Sequence, residues 1–149
     1  MGLQQRVMEE MKVAMKAKDT VALESLRAIK SALLLARTEA GAEAGLSAEE
    51  EVKMIQKLVK QRKDSAAIYV EQGRADLAEP ELAQAEVIGK FLPEQLSEEE
   101  VEQVVEKIIK ESGASGMKDM GKVMGIVSKE LSGKADGKTI SNIVKRKLT

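Results

Sequence analysis

The sequence predicts an all-α protein: an N-terminal helical domain of about four helices over residues 1–92 and a C-terminal three-helix bundle over residues 93–149. Three observations carry this. Apolar residues recur at helical spacing along nearly the whole chain, and no run alternates with the period of a strand. Helix start and stop signals recur in pairs. A proline in Phe91-Leu92-Pro93-Glu94 breaks the pattern near the middle, because proline disfavours helical geometry in the residue before it.

Each element follows from its own residues. Leu3, Val7, Met11, Ala14 and Met15 form the first apolar stripe, which runs to about Lys18. Asp19 or Thr20 caps a second helix by accepting from its free N–H groups, with Leu23, Leu26, Ile29, Leu33 and Leu34 inward and Gly41 as a stop. Residues 41–46 are small and acidic and read as a loop. Ser47-Ala48-Glu49-Glu50 is a capping box opening a long helix to about Gln72, stopped by Gly73. Asp76-Leu77-Ala78-Glu79 reads as another box, with Pro80 tolerated near the start of a fourth helix. That helix carries Leu82, Ala85, Val87 and Ile88 on to Phe91. Beyond the break, Ser97-Glu98-Glu99-Glu100 caps a fifth helix with Val101, Val104, Val105, Ile108 and Ile109 on one face and Gly113 at its end. Two short helices follow, from about Lys118 to Glu130 and from Gly137 to Leu148, the second capped by Asp136.

Composition removes several kinds of chemistry. With no cysteine and no histidine, thiolate and imidazole metal ligands, Ser–His and Cys–His nucleophiles and disulfides are excluded. No phosphate-binding loop, no metal-ligand set and no cofactor motif is present. Runs such as Glu49–Glu51 and Glu98–Glu100 fall in first helical turns, where they complement the helix dipole and do not read as a catalytic pair. No catalytic residue, metal or cofactor is expected. No apolar run reaches membrane-spanning length. A cytoplasmic protein is expected. Tyr69 and Phe91 are the only aromatic residues, too few for a base-stacking platform. The eight methionines read as core filler.

The charge is balanced overall, 24 basic against 25 acidic residues, so no global attraction to nucleic acid is expected and no DNA partner. It is segregated locally. Residues 93–111 hold seven acids and two lysines, a net of −5, and residues 112–149 hold eight basic groups and three acids, a net of +5. Two readings stand: the acidic and basic helices attract one another, or the basic pair faces a partner anion. In the sixth helix Met117, Met120, Val123, Met124, Val127 and Leu131 form an apolar arc, with Lys118, Lys122 and Lys129 opposite and Gly121 and Gly125 beside the lysines. Glycine inside a helix costs about 1 kcal/mol relative to alanine. Close packing of a neighbouring helix is the favoured reason for the pair, and close approach of a phosphate chain the other. Lys134, Lys138, Lys145 and Arg146 extend the positive surface if the last helix lies alongside. A secondary basic face is formed by Lys53, Lys57, Lys60 and Lys63 on the third helix. Arg62 lies in that helix's apolar arc, and a structural pair with an acid of another helix is expected ahead of a ligand role. Arg27, Lys30 and Arg37 edge the second stripe, facing either phosphate or a neighbour's acids.

Four strings carry a family resemblance: Lys60-Gln61-Arg62-Lys63-Asp64-Ser65, Phe91-Leu92-Pro93-Glu94-Gln95-Leu96-Ser97, Lys118-Asp119-Met120-Gly121-Lys122-Val123-Met124-Gly125, and Lys134-Ala135-Asp136-Gly137-Lys138. In this order they make the whole chain resemble the small YqeY proteins, which are similar to the C-terminal helical and tail region of the B subunit of tRNA-dependent amidotransferases. Departures are Ile126-Val127-Ser128 and the Ala/Gly loop at 41–45. The resemblance implies an all-helical fold and tRNA as the ligand. It implies a non-catalytic tRNA-binding accessory role in translation, since the family's ATP, Mg2+ and acyl-transfer chemistry sits in a domain this chain lacks. The alternative is a helical adaptor for an amidotransferase subunit or another translation-related protein. A carbon–nitrogen ligase using glutamine as amide donor ranks last.

Overall fold

The computed structural model describes residues 2–40 and 45–149. Gly41, expected to stop the second helix, and most of the small acidic loop lie outside the described residues. Among the described residues the chain forms seven α-helices and one 3-10 turn, with no strand. They are α1 (Leu3–Ala17), α2 (Thr20–Ala40), α3 (Ala48–Glu71), α4 (Ala75–Gly89), α5 (Glu98–Ser112), α6 (Met120–Glu130) and α7 (Gly137–Leu148), with the 3-10 turn at Met117–Asp119. The chain divides into two compact units, residues 1–92 and 93–149.

In the first unit α1 and α2 form a hairpin. Lys18 closes α1 in the left-handed region at φ 55°, and Asp19 Oδ1 accepts from the Ala22 N–H at 3.0 Å to start α2. Ser47 accepts from the Glu50 N–H at 3.1 Å and caps α3. Gly73, at φ 74°, turns the chain from α3 into α4, a conformation that costs glycine little.

The α4 start differs from the sequence expectation. The helix begins at Ala75 with Arg74 as its cap, so Asp76 lies inside the first turn. Its carboxylate takes both Arg74 Nε and Nη2, at 3.1 and 3.0 Å. Pro80 is therefore the sixth helical residue and removes one internal hydrogen bond. The same helix ends at Gly89, two residues short of Phe91.

The core of this unit is aliphatic: Leu3, Val7, Leu26, Ile29, Ile55 and Ile88 are buried, with Phe91 and Leu92 packed against them. Ser25, the one buried polar residue described, donates to the Val21 carbonyl at 2.8 Å. Several predicted core residues are not there. Leu34 is 52 % exposed, and Met15 and Leu82 are also exposed. Methionine serves as core filler at Met11, Met54, Met120 and Met124, which pack against the two cores, and not at Met8, Met15 and Met117, which lie open. The stripes read from sequence are wider than the faces that neighbouring helices cover.

Arg62 also departs from expectation. Its Nε donates to Gln84 Oε1 at 3.2 Å and its Nη1 to the Leu58 carbonyl at 3.2 Å. Gln84 in turn donates to Glu24 at 3.3 Å. A neutral amide thus stands between the guanidinium and the acid of α2. It satisfies the half-buried cation without requiring a desolvated carboxylate beside it.

The second unit packs α5, α6 and α7 around Val101, Val105, Ile108, Val123, Val127, Ile140, Ile143 and Val144. Ser97 and Glu100 form the full reciprocal capping box, at 3.2 and 3.1 Å. Gly113 ends α5 at φ 69°. Asp136 Oδ1 accepts from the Thr139 N–H at 2.6 Å and starts α7. The turn between α6 and α7 is pinned by the residues after Pro93. The Leu96 N–H donates to the Lys134 carbonyl at 2.9 Å, and Gln95 Nε2 donates to the Gly133 and Pro93 carbonyls at 2.6 and 2.7 Å.

Candidate nucleic-acid interface

The acidic and basic segments of the second unit do not behave alike. On α5, Glu102 and Glu106 stand one turn apart, and Lys147 of α7 reaches both, at 2.6 and 2.7 Å. Arg146 adds a 3.2 Å contact to Glu102. Lys147 holds the Glu102 carboxyl below the usual carboxylate range, chiefly by this hydrogen bond, and the two glutamates raise Lys147 above the ordinary lysine value. This part of the positive charge is absorbed inside the unit.

Lys147 was missed by the sequence reading. Its signal was available: it falls within the α7 stripe of Ile140, Ile143, Val144 and Leu148, where a cation requires a partner. Two glutamates spaced i, i+4 on α5 supply it.

The α6 lysines are different. Lys122 and Lys129 lie two turns apart on the exposed side of α6, about 10 Å along the axis at the usual helical rise. Lys118 precedes them in the 3-10 turn, so the helix begins less regularly than the periodicity predicts. Among the described residues none of the three has an ion pair or side-chain hydrogen bond. The same holds for Lys134, in the α6–α7 turn, and for Lys138 and Lys145, which share one face of α7 two turns apart. Arg146 points about a quarter-turn away from those two at the helical angle and is engaged by Glu102. The structure thus groups Lys122 and Lys129 on α6 and Lys138 and Lys145 on α7, and separates Arg146 from both.

Gly121 and Gly125 settle differently from the favoured sequence reading. They do not admit a neighbouring helix: a Cβ built on either would meet nothing within 4 Å, and neither has a positive φ. Both face solvent beside Lys122 and Lys129. Met117, expected in the apolar arc, is 43 % exposed, and Ile126 is 39 % exposed. The outer surface of α6 is therefore bare backbone flanked by unpaired cations and two aliphatic side chains.

The secondary basic face on α3 is partly neutralised by its own helix. Lys53 lies 3.7 Å from Glu49 and Lys60 lies 2.9 Å from Asp64, each one turn away. Lys57 and Lys63 are exposed. On α2, Arg37 Nη1 donates to the amide of Gln4 of α1 at 3.2 Å and not to a neighbour's acid.

Comparison with known proteins places this architecture. A family model described as Yqey-like protein matches residues 4–148. The chain belongs to the YqeY family. It is 38 % identical over 73 residues to the E subunit of a glutamyl-tRNA(Gln) amidotransferase from Thermococcus gammatolerans, covering 46 % of this chain and 12 % of that one. It is 36 % identical over 74 residues to the protein of the same name from Methanosarcina acetivorans, covering 47 % and 12 %. This YqeY chain thus spans about a tenth of the length of those relatives. It is also 34 % identical over 99 residues to altered inheritance of mitochondria protein 41 of Clavispora lusitaniae, covering 66 % of this chain and 56 % of that one. Among the described residues no helix is long and apolar enough to cross a membrane.

Proposed function

We propose that this YqeY-family protein is a non-catalytic accessory factor that binds tRNA through the outer face of α6, in association with amidotransferase subunits. The observation that carries the reading is the pairing of two features on one surface. Gly121 and Gly125 weaken α6 without serving packing or backbone geometry, and the lysines beside them have no partner among the described residues. A phosphate chain answers both. It needs cations, and it approaches a helix most closely where no Cβ intervenes. Lys118, Lys122 and Lys129 contact phosphates, with Lys134, Lys138 and Lys145 continuing the surface. Folded RNA is read largely by shape and by its backbone, so two aromatic residues in the chain are no obstacle. The names of the amidotransferase relatives, which include tRNA(Gln), support the same ligand class.

The test is binding of nuclease-treated protein to total tRNA across a salt series, with duplex DNA as control. Affinity for tRNA should exceed that for DNA and should fall with salt as counterions are released. Lys118→Glu with Lys122→Glu should weaken binding by about tenfold or more and reduce the salt slope by about 1 to 2. Unchanged tRNA affinity in that variant would refute the proposed face.

A further inference from the structure

A second surface stands out in the other unit. Along the α1–α2 hairpin, on the side where Gln4 meets Arg37 at 3.2 Å, the seam between the helices is apolar and open. Val7 and Leu33 form its buried floor, and Met8 and Leu34 rise from it at 47 % and 52 % exposure. One heptad along α1, Met15 continues the line at 61 % exposure. The seam itself spans Gln4 to Met8, and the α1 face that carries it runs about 16 Å, or three helical turns, from Gln4 to Met15. Helix ends and turns do not explain these side chains, and no described neighbour covers them.

Among the described residues, the charges that line the seam are basic. Lys30 and Arg37 line it, and Arg27 is exposed one turn before Lys30. No described acid lines it; Glu39 is exposed on the side of α2 opposite Lys30. Glu9 and Glu10 line a different cleft, of about 470 Å³, with Arg6 and Phe91, and Glu24 is turned to Gln84.

We infer that the α1–α2 seam is a docking site for an acidic amphipathic helix of a partner protein. Apolar side chains at i, i+3, i+4 and i+7 of that helix would sit against the exposed Met8, Met15 and Leu34, packing face to face as an amphipathic helix does. Its flanking carboxylates would meet Lys30 and Arg37. Methionine suits such a surface, because an unbranched, polarisable side chain repacks around different partners. A second copy of this chain does not fit. A two-fold pairing of the seam sets Lys30 and Arg37 against their own kind, which opposes association. The chain's own acidic helix, α5, already buries its apolar face. RNA is disfavoured because the exposed Met8 and Leu34 between the cations offer a phosphate chain neither charge nor a hydrogen bond. The inference is independent of the proposed tRNA face, since it uses no residue beyond Arg37.

The experiment uses the full chain, isotope-labelled, and a synthetic peptide of about four turns with leucine at the i, i+3, i+4 and i+7 positions and glutamate flanking them. Saturable amide shifts centred on Met8, Lys30 and Leu34 are expected. Leu34→Glu and Lys30→Glu, both at exposed positions, should each weaken the peptide by tenfold or more while leaving the helical circular dichroism unchanged. Lys30→Glu should in turn gain binding to the same peptide with lysine in place of glutamate. The inference is overturned if the peptide does not saturate by 1 mM, about the weakest affinity of use, or if its shifts map elsewhere. It is overturned as well if both variants bind the peptide as the parent does, or if the seam responds to tRNA and not to peptide. Loss of tRNA binding in the α6 variants would leave it standing.

Discussion

Replacing Gly121 and Gly125 by alanine separates stability from binding, and the structure sets the sign of each. Neither glycine has a positive φ, and an added Cβ meets nothing within 4 Å, so no strain or clash opposes the change. Gly125 is the sixth residue of α6, in its middle, and Gly121 is the second. Helix propensity acts fully in the interior and less in the first turn. The gain is then about 1 kcal/mol for Gly125→Ala and about 0.5 kcal/mol for Gly121→Ala. For a unit the size of residues 93–149 the double variant should raise the melting temperature of that unit by about 6–12 °C. Thermal unfolding followed at 222 nm reads this directly, and hydrogen exchange should show slower opening of the α6 amides. On the proposed tRNA face the same two methyl groups stand between backbone and phosphate, so tRNA affinity should fall as stability rises. Two results would refute the reasoning. A lower melting temperature would mean that the glycines serve the fold after all. A higher one with unchanged tRNA affinity would mean that the bare backbone is not a contact.

Other outcomes follow from the geometry. Lys18 holds a left-handed φ of 55° that a side chain adopts at a cost, so Lys18→Gly should stabilise the α1–α2 hairpin by about 0.5–1 kcal/mol, read by denaturant titration. Ser97→Ala removes one half of a complete capping box and should cost about 1 kcal/mol, visible as a lower urea midpoint with an unchanged slope. The α5–α7 ion cluster predicts a pH window. Glu102 is depressed below its ordinary value of 4.5, so its contribution is complete above that value and is lost as pH falls through the folded pKa. Lys147 is raised above 10.5, so its contribution is complete below that value and is lost as pH rises through the folded pKa. Lys147→Met should therefore flatten the fall in stability at both ends of the pH scale. A variant with the parent's pH profile would show that the cluster contributes nothing.

The sequence by itself determined the helical class, the order of the helices and most of their ends. These are local matters. An apolar residue every three or four positions can bury one face only as a helix, and Ser97, Asp136, Gly73 and Gly113 act on backbone groups within a few residues of themselves. The strings that mark the YqeY family were legible for the same reason, and several of their residues are now seen to be structural. Gln95 and Leu96 hold the α6–α7 turn, and Asp136 caps α7. Where the local reading failed, a distant or merely adjacent partner decided. Asp76 had Arg74 at hand and did not cap. Arg62 found the amide of Gln84, because three helices bring a neutral relay to it.

Only the tertiary structure decided which of the charges and glycines are free to act. Periodicity assigns a residue to a face of a helix but does not say whether another helix covers that face. Packing α5 against α7 engaged Arg146 and Lys147 and left the lysines of α6 open. It also left open space where a neighbouring helix had been expected beside Gly121 and Gly125. In the same way the α1–α2 hairpin left Met8, Met15 and Leu34 uncovered. The physical reason is common to all of these: burial and pairing belong to two surfaces at once, and a single strand of sequence specifies only one of them.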